Sequence, residues 1–385
     1  MGSSNYSTTL IMYLENQNSS SNYTTQCTFN VGSFLRYAGT LVVICGLIGN
    51  FLSILVFSRK ALRSRSCSIY FLALSVSDVS VLISYTIENL LYHGYEIQLL
   101  SNAFMCKMTI FLIYASTDIS NYLLTLAAID RCVLISNTSA QYRFCRQSTA
   151  KLLIALVVIL FSLINSHFLF GFQLDSTGAC LPTTTLYIDF YIHHYDSYID
   201  IIKTVLIPFL VIFLCNTFII FKYTRQRNSV MSKSSSRNKT RRRKEKDRQL
   251  TWFLLSTSIL FILLSLPSEI NDFVRTHLSQ TFQMNNACQL WAITTFLILL
   301  HQINHASHFY VYTLTGPIFR KEFQKLICFF RRINQPKKAN NIGPKRTSAF
   351  LHGGTQLDDI DDGRLSVNIL AKKTSTSHIS FNSDS

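Results

Sequence analysis

Charge is what this 385-residue chain has least of: only 15% of its residues are Asp, Glu, Lys or Arg, where a soluble domain carries about a quarter. Acidic residues are the scarcer sign, 20 against 36 basic ones, for a net charge of +16. Such an excess fits nucleic-acid binding only if the basic residues form a patch on a soluble domain. Here they fall in clusters between long apolar runs, which argues for a membrane and against nucleic acid. Ten cysteines occur without CxxC spacing, so a zinc ribbon or a thioredoxin-like site is not expected. The first thirty residues are polar and lack a basic start, so no signal peptide is read there and the first hydrophobic helix is expected to act as the targeting signal. No nucleophile–base–oxyanion set, no metal-ligand spacing and no internal repeat is found, which leaves no enzyme to propose.

What is present is hydrophobic length, with 48% apolar residues. Spans are read at 34–58, 68–92, 103–135, 150–172, 199–223, 249–274 and 289–312, each long enough to cross a bilayer as a helix. The expected fold class is an all-α, seven-helix membrane bundle. Residues 1–33 contain no Lys or Arg and carry three glycosylation sequons, at Asn5, Asn18 and Asn22. The connections expected on the same side as this tail hold one basic residue, Arg275. The opposite connections hold Arg59, Lys60, Arg63 and Arg65, then Arg143 and Arg146, then a dense basic run between Lys222 and Arg248. The positive-inside rule therefore puts the N-terminus outside and the C-terminus in the cytosol.

The third span, Ala103–Ser136, contains neither Gly nor Pro and, after Lys107, only three charges: Asp118, Asp130 and Arg131. As one helix it places Cys106 and Arg131 roughly 37 Å apart, at opposite faces of the membrane. Past the seventh span, Gly316-Pro317 breaks the chain, and 316–330 reads as an amphipathic helix on the inner leaflet. Its Cys328 is a palmitoylation candidate. Residues 331–385 are polar and read as a disordered cytosolic tail.

Motifs fall in order along these spans: Gly49-Asn50 in the first, Leu74-Ser-Val-Ser-Asp78 in the second, Cys106 and Asp130-Arg131-Cys132 at the two ends of the third, Pro208 in the fifth, Pro267 in the sixth and Tyr312 ending the seventh. Over about residues 34–330 the chain resembles a rhodopsin-like G-protein-coupled receptor, with an ending (Phe309 to Phe323) similar to invertebrate neuropeptide and FMRFamide-receptor-like sequences. The resemblance implies a plasma-membrane receptor for an extracellular ligand, expected to be a neuropeptide. Its partners would be a heterotrimeric G protein and, through the C-terminal tail, arrestin and receptor kinases.

The resemblance also assigns roles. A disulfide is expected between Cys106 and Cys180, and Cys27 and Cys288 are candidates for a second. Asp130, Arg131, Asp247 and Tyr312 are expected at the G-protein face, with Arg131 held by Asp130 and Asp247 at rest. Asp78 is an acid deep in an apolar span, and such residues are functional by default. Asn50, Ser120 and Asn304 are expected to face it in a site able to hold a sodium ion. Against sodium stands His308, which takes the place of the family's Asn and suggests a proton-sensitive pair with Asp78. Ser265 replaces the usual sixth-span Trp, and Asn121 departs from the usual connector to Pro208 and Phe261. Lost or constitutive signalling is therefore one alternative, and a seven-span transporter or channel is another.

Two absences narrow the ligand. Ile113 stands where amine receptors carry Asp, and Gln302 stands where opsins carry the retinal-binding Lys. Pocket candidates are Glu88, Tyr114, Glu269, Asn271, His301 and Gln302, with Asp118 deeper and read as structural. Glu88 and Glu269 suit a cationic ligand such as an Arg-containing peptide, and Tyr187–Tyr198 reads as an aromatic-acidic outer loop above them.

Overall fold

In hydrocarbon, every backbone N–H and C=O must be bonded within the chain, so apolar runs of this length wind into helices. The computed structural model describes residues 30–136, 141–176, 179–230 and 238–333. Among them, seven helices are long and apolar enough to cross a membrane: α1 Val31–Phe57, α2 Ser66–Gly94, α3 Ala103–Ser136, α4 Gln147–Gly171, α5 Thr185–Lys222, α6 Leu254–His277 and α7 Ala287–Thr315. α6 is the apolar part of a helix that begins in the basic run at Asn238 and carries Pro267 within it.

Burial in this bundle is reversed from that of a protein surrounded by water. Asn50, Asp78 and Asp118 are fully buried, while Leu41, Ile48 and Leu163 are 55–67% exposed. An outward aliphatic surface over a polar interior is stable only against lipid. α3 is the axis: it packs on α2, α4 and α5 and touches α6, while α7 closes the bundle against α1, α2 and α6. α1, α2 and α7 approach closely at Gly46, where a Cβ would lie 2.7 Å from both the Ala306 Cβ and the Leu82 Cδ1.

Between α4 and α5 a short antiparallel hairpin forms from β1 Phe172–Leu174 and β2 Cys180–Pro182, pairing Phe172 with Pro182 and Leu174 with Cys180. α5 begins fourteen residues before the 199 expected from hydropathy, so Tyr187–Tyr198 is helix rather than loop. Thr184 caps it, its hydroxyl accepting from the Tyr187 N–H, and no Gly or Pro interrupts the chain before Pro208. Phe190–Leu206 is wound as a π-helix. That wider winding brings Asp196, Asp200 and Lys203 into the interior.

α8, Pro317–Ile333, follows the break at Gly316. Arg320 donates to the carbonyls of Thr313 and Leu314 (2.9 and 2.7 Å) and so caps the end of α7. The buried face of α8 carries Phe319, whose ring lies 5.3 Å from those of Phe57 and Tyr312. Lys321 and Lys325 point away and are exposed.

Candidate functional site

At the outer mouth, Cys106 at the start of α3 is bonded to Cys180 of β2, with Cα atoms 5.6 Å apart. This holds the hairpin against the head of α3. Cys288 is also disulfide-bonded, while Cys27 lies outside the described residues, as do the sequons Asn5, Asn18 and Asn22. Below the hairpin, the Tyr114 ring stacks on Phe168 at 4.3 Å and meets the edge of Tyr195 at 6.0 Å. The Tyr114 hydroxyl donates to Asp196 (2.9 Å) and bonds the Tyr191 hydroxyl (2.7 Å).

One turn deeper is a network that sequence reading placed only in part. Lys203 is buried. Its Nζ donates to Asp118 Oδ2 (2.7 Å), Asp200 Oδ1 (2.5 Å) and the Thr204 hydroxyl (3.1 Å). Thr204 also donates to Asp118 Oδ1 (2.6 Å), and Asn165 of α4 donates to Asp118 Oδ2 (2.7 Å) while accepting from Tyr195 (2.5 Å). Asp118 therefore joins α3, α4 and α5. Asp200, Lys203 and Thr204 at i, i+3 and i+4 share a helix face, the signal that identifies them. Just below, Asn121 donates to the Thr204 carbonyl (3.0 Å), a second tie between α3 and α5.

On the opposite wall, Glu269 of α6 faces His301 of α7 across 3.8 Å. Tyr85 of α2, whose ring is 5.7 Å from that of His301, lies within electrostatic reach of both Glu269 and Glu88. Glu269 in turn lies within reach of Asp200, Asp272 and Asp196. Asn271 donates to Thr294 (3.1 Å) and Asp272 (3.2 Å), and Glu88 accepts from Asn89 (3.4 Å). Gln302 is buried, and neither end of its amide has a partner among the described residues. Lys203 is thus held between carboxylates of α3 and α5, while Glu269 of α6 faces His301 of α7 on the opposite wall.

At mid-membrane, both oxygens of Asp78 are taken. Ser120 donates to Oδ1 (2.7 Å), His305 Nδ1 lies 2.8 Å from Oδ1, and His308 Nδ1 lies 2.7 Å from Oδ2. His305, which motif comparison passed over, also reaches His301 (Nε2 to Nε2, 3.1 Å). Its carbonyl accepts from Asn50 (2.9 Å). Asn304 is buried, and its Oδ1 has no partner among the described residues. The spacing 301, 305, 308 is one face of a helix, so hydrogen bonds run along α7 from His301 through His305 to Asp78 and His308, with Glu269 3.8 Å beyond His301.

At the inner end, Arg131 is buried with its Nη2 3.1 Å from Asp130 Oδ2. Cys145, outside the spans, donates to the Asp130 carbonyl (3.4 Å). Burial, and then the charge of Asp130, push its thiol up to about 12 against the pull of Arg131. Tyr312 is buried, its ring 4.8 Å from that of Phe57. Asp247 falls within the helix leading into α6, and its side chain is outside what the structure describes. Glu322 of α8 accepts from Arg59 (2.9 Å) and Lys325 (2.8 Å). Burial works to raise its pKa, but the Lys325 hydrogen bond and the charges of Lys325 and Arg59 hold the carboxyl below its ordinary range. Cys328 is free and exposed.

Residues 49–304 match the family model described as 7 transmembrane receptor (rhodopsin family). The chain is 22% identical to galanin receptor 2a of Danio rerio over 89% of its own length and 93% of that protein's. It is 21% identical to somatostatin receptor type 1 of Rattus norvegicus, covering 81% of this chain and 76% of that one. It is 25% identical to the thyrotropin-releasing hormone receptor of Ovis aries, covering 83% and 85%.

Proposed function

Because the chain belongs to the rhodopsin family of seven-transmembrane receptors, we propose that it is a plasma-membrane receptor that binds a cationic neuropeptide outside and activates a heterotrimeric G protein inside. In this reading residues 1–33 form the glycosylated outer tail, 34–315 the receptor domain, 316–330 the inner amphipathic helix and 331–385 the cytosolic tail. The tail is where arrestin and receptor kinases would act. The relatives named above are receptors for galanin, somatostatin and thyrotropin-releasing hormone by their names, which supports a peptide as ligand.

The observation that carries the reading is one helix, α3, with carboxylates gathered beside its head and a buried Arg131 at its foot; the ligand cavity is placed by this reading among those carboxylates. Carboxylates desolvated in a bundle attract a cationic group strongly, since guanidinium–carboxylate contacts are the stronger hydrogen bonds. Glu88, Glu269 and Asn271 would line the cavity, Tyr114 its hairpin side, and His301 and Gln302 its floor. The ligand acts by favouring a bundle in which the inner end opens, which calls for no resident cofactor. Arg131, held by Asp130 and by Asp247 at the foot of α6, would be released as α6 moves out, and Tyr312 would then turn from its aromatic seat. Screening cells that express the full chain with amidated peptides of graded net charge tests this. Basic peptides should raise G-protein signalling, and activation confined to acidic peptides would overturn the cationic assignment.

A further inference from the structure

The resemblance to the family implies a sodium ion at Asp78, and the donor set here does not fit one. A hard cation takes oxygen lone pairs as ligands, above all those of a carboxylate. The ionised Asp78 carboxyl only accepts hydrogen bonds. Its two oxygens lie 2.7–2.8 Å from His308 Nδ1 and His305 Nδ1, so each of those nitrogens must carry its hydrogen toward Asp78. Ser120 places a third hydrogen on Oδ1. A cation approaching Asp78 therefore meets N–H and O–H groups where it needs lone pairs. With the proton on Asp78 instead, the site is a neutral acid, and that holds no cation either.

We propose that the mid-membrane cation site of this receptor is closed to sodium by its own side chains, with His305 and His308 supplying the link between α2 and α7 that an ion would otherwise make. The closure is structural rather than accidental. All three groups, Asp78, His305 and His308, are buried, and α7 is held in this register by the Asn50 bond to the His305 carbonyl. Among the buried oxygens with no partner among the described residues, Asn50 Oδ1 and Asn304 Oδ1 belong to the residues expected to face Asp78, and both are neutral amides. Alone they do not offset the loss of a cation's hydration. They are, however, available to serve an ion once the imidazoles are gone. Replacing the two histidines should therefore create a sodium site that the natural chain lacks.

The test uses the full chain in lipid nanodiscs and the melting temperature measured in sodium chloride and in choline chloride at equal ionic strength. The natural chain should melt at the same temperature in both. A ligand bound only by the folded state raises stability by mass action. The double variant His305→Ala/His308→Asn should therefore melt higher in sodium by about 2 °C or more, and adding Asp78→Asn should abolish that gain. The proposal is overturned by a sodium-dependent rise in the natural chain that Asp78→Asn removes. It is equally overturned by a folded double variant whose melting does not respond to sodium. Should the double variant fail to fold, His308→Asn alone frees Oδ2 and is read in the same way. The natural chain's own response, with Asp78→Asn as its control, decides independently of the histidine variants.

Discussion

Lys203 Nζ and Asp118 Oδ2 sit 2.7 Å apart in the interior of the bundle, an ion pair that ties the π-wound part of α5 to the middle of α3. With Asp200 on the other side of the ammonium, the cluster holds two carboxylates for one cation. Removing one partner from a buried pair leaves an uncompensated charge and costs about 3–5 kcal/mol, whereas removing both together is far cheaper. Lys203→Met should accordingly lower the melting temperature of the purified receptor sharply. The triple change Lys203→Met/Asp118→Asn/Asp200→Asn should recover most of the loss. Equal melting of Lys203→Met and the natural chain would show that the pair carries no such energy.

Glu269 is largely shielded in the bundle and faces His301 across 3.8 Å, so in the proposed reading its carboxylate is free to take a ligand's cationic group. A hydrogen bond to a charged group contributes about 1.5–3 kcal/mol, so Glu269→Gln should weaken an activating basic peptide by roughly 10- to 100-fold. A matched peptide with its basic residue neutralised should lose little further affinity against the variant. Concentration–response curves for the two peptides on the two receptors form the cycle that measures this. Additive losses would place the peptide's cation elsewhere.

The inner cysteines are expected to differ in reactivity. The thiolate is the reacting species, and the Cys145 thiol, pushed up to about 12 by burial and the charge of Asp130, is almost wholly protonated at pH 8. Cys328 stands exposed on α8. Brief maleimide treatment of the nanodisc-held receptor, mapped by mass spectrometry, should modify Cys328 well before Cys145. Equal labelling would contradict the burial of Cys145 against the Asp130 carbonyl.

Much of this architecture is legible in the sequence because lipid imposes so strict a rule. Twenty apolar residues in a row wind into a helix in hydrocarbon, and α1, α2, α3, α4 and α7 begin within about three residues of where hydropathy places them, while α6 continues a helix that starts in the basic run at Asn238. The exception, α5, is instructive. Tyr187–Tyr198 carries two aspartates, two histidines and four tyrosines, so it reads as an outer loop, yet it forms the outer turns of α5. Its polar groups find partners inside the bundle: Asp196 on Tyr114, and Tyr195 on Asn165. Hydropathy scores each residue as though it were alone and does not register such pairing. The same blindness hid Lys203 behind its two carboxylates. His305 is hidden for a different reason: the motif position falls on His308, while the i, i+4, i+7 row of histidines at 301, 305 and 308 carries the information. Cys106, Asp78 and Arg131 were legible because an isolated polar residue in an apolar span has few reasons to be there.

At the foot of α3, the proposed restraint of Arg131 by Asp247 has a consequence that needs no ligand. Asp247→Ala should raise basal G-protein signalling several-fold in cells expressing matched surface levels of the receptor. Unchanged basal signalling would argue against a restraint of Arg131 by Asp247.

The most direct test of the account is nucleotide exchange on a panel of purified heterotrimeric G proteins, driven by the full chain in nanodiscs with an activating basic peptide. The natural receptor should accelerate exchange on at least one G protein. Arg131→Ala should bind the same peptide and accelerate none. Peptide-driven exchange that persists unchanged in Arg131→Ala would contradict the claim that α3 carries the signal from the acid-lined cavity to the cytosol.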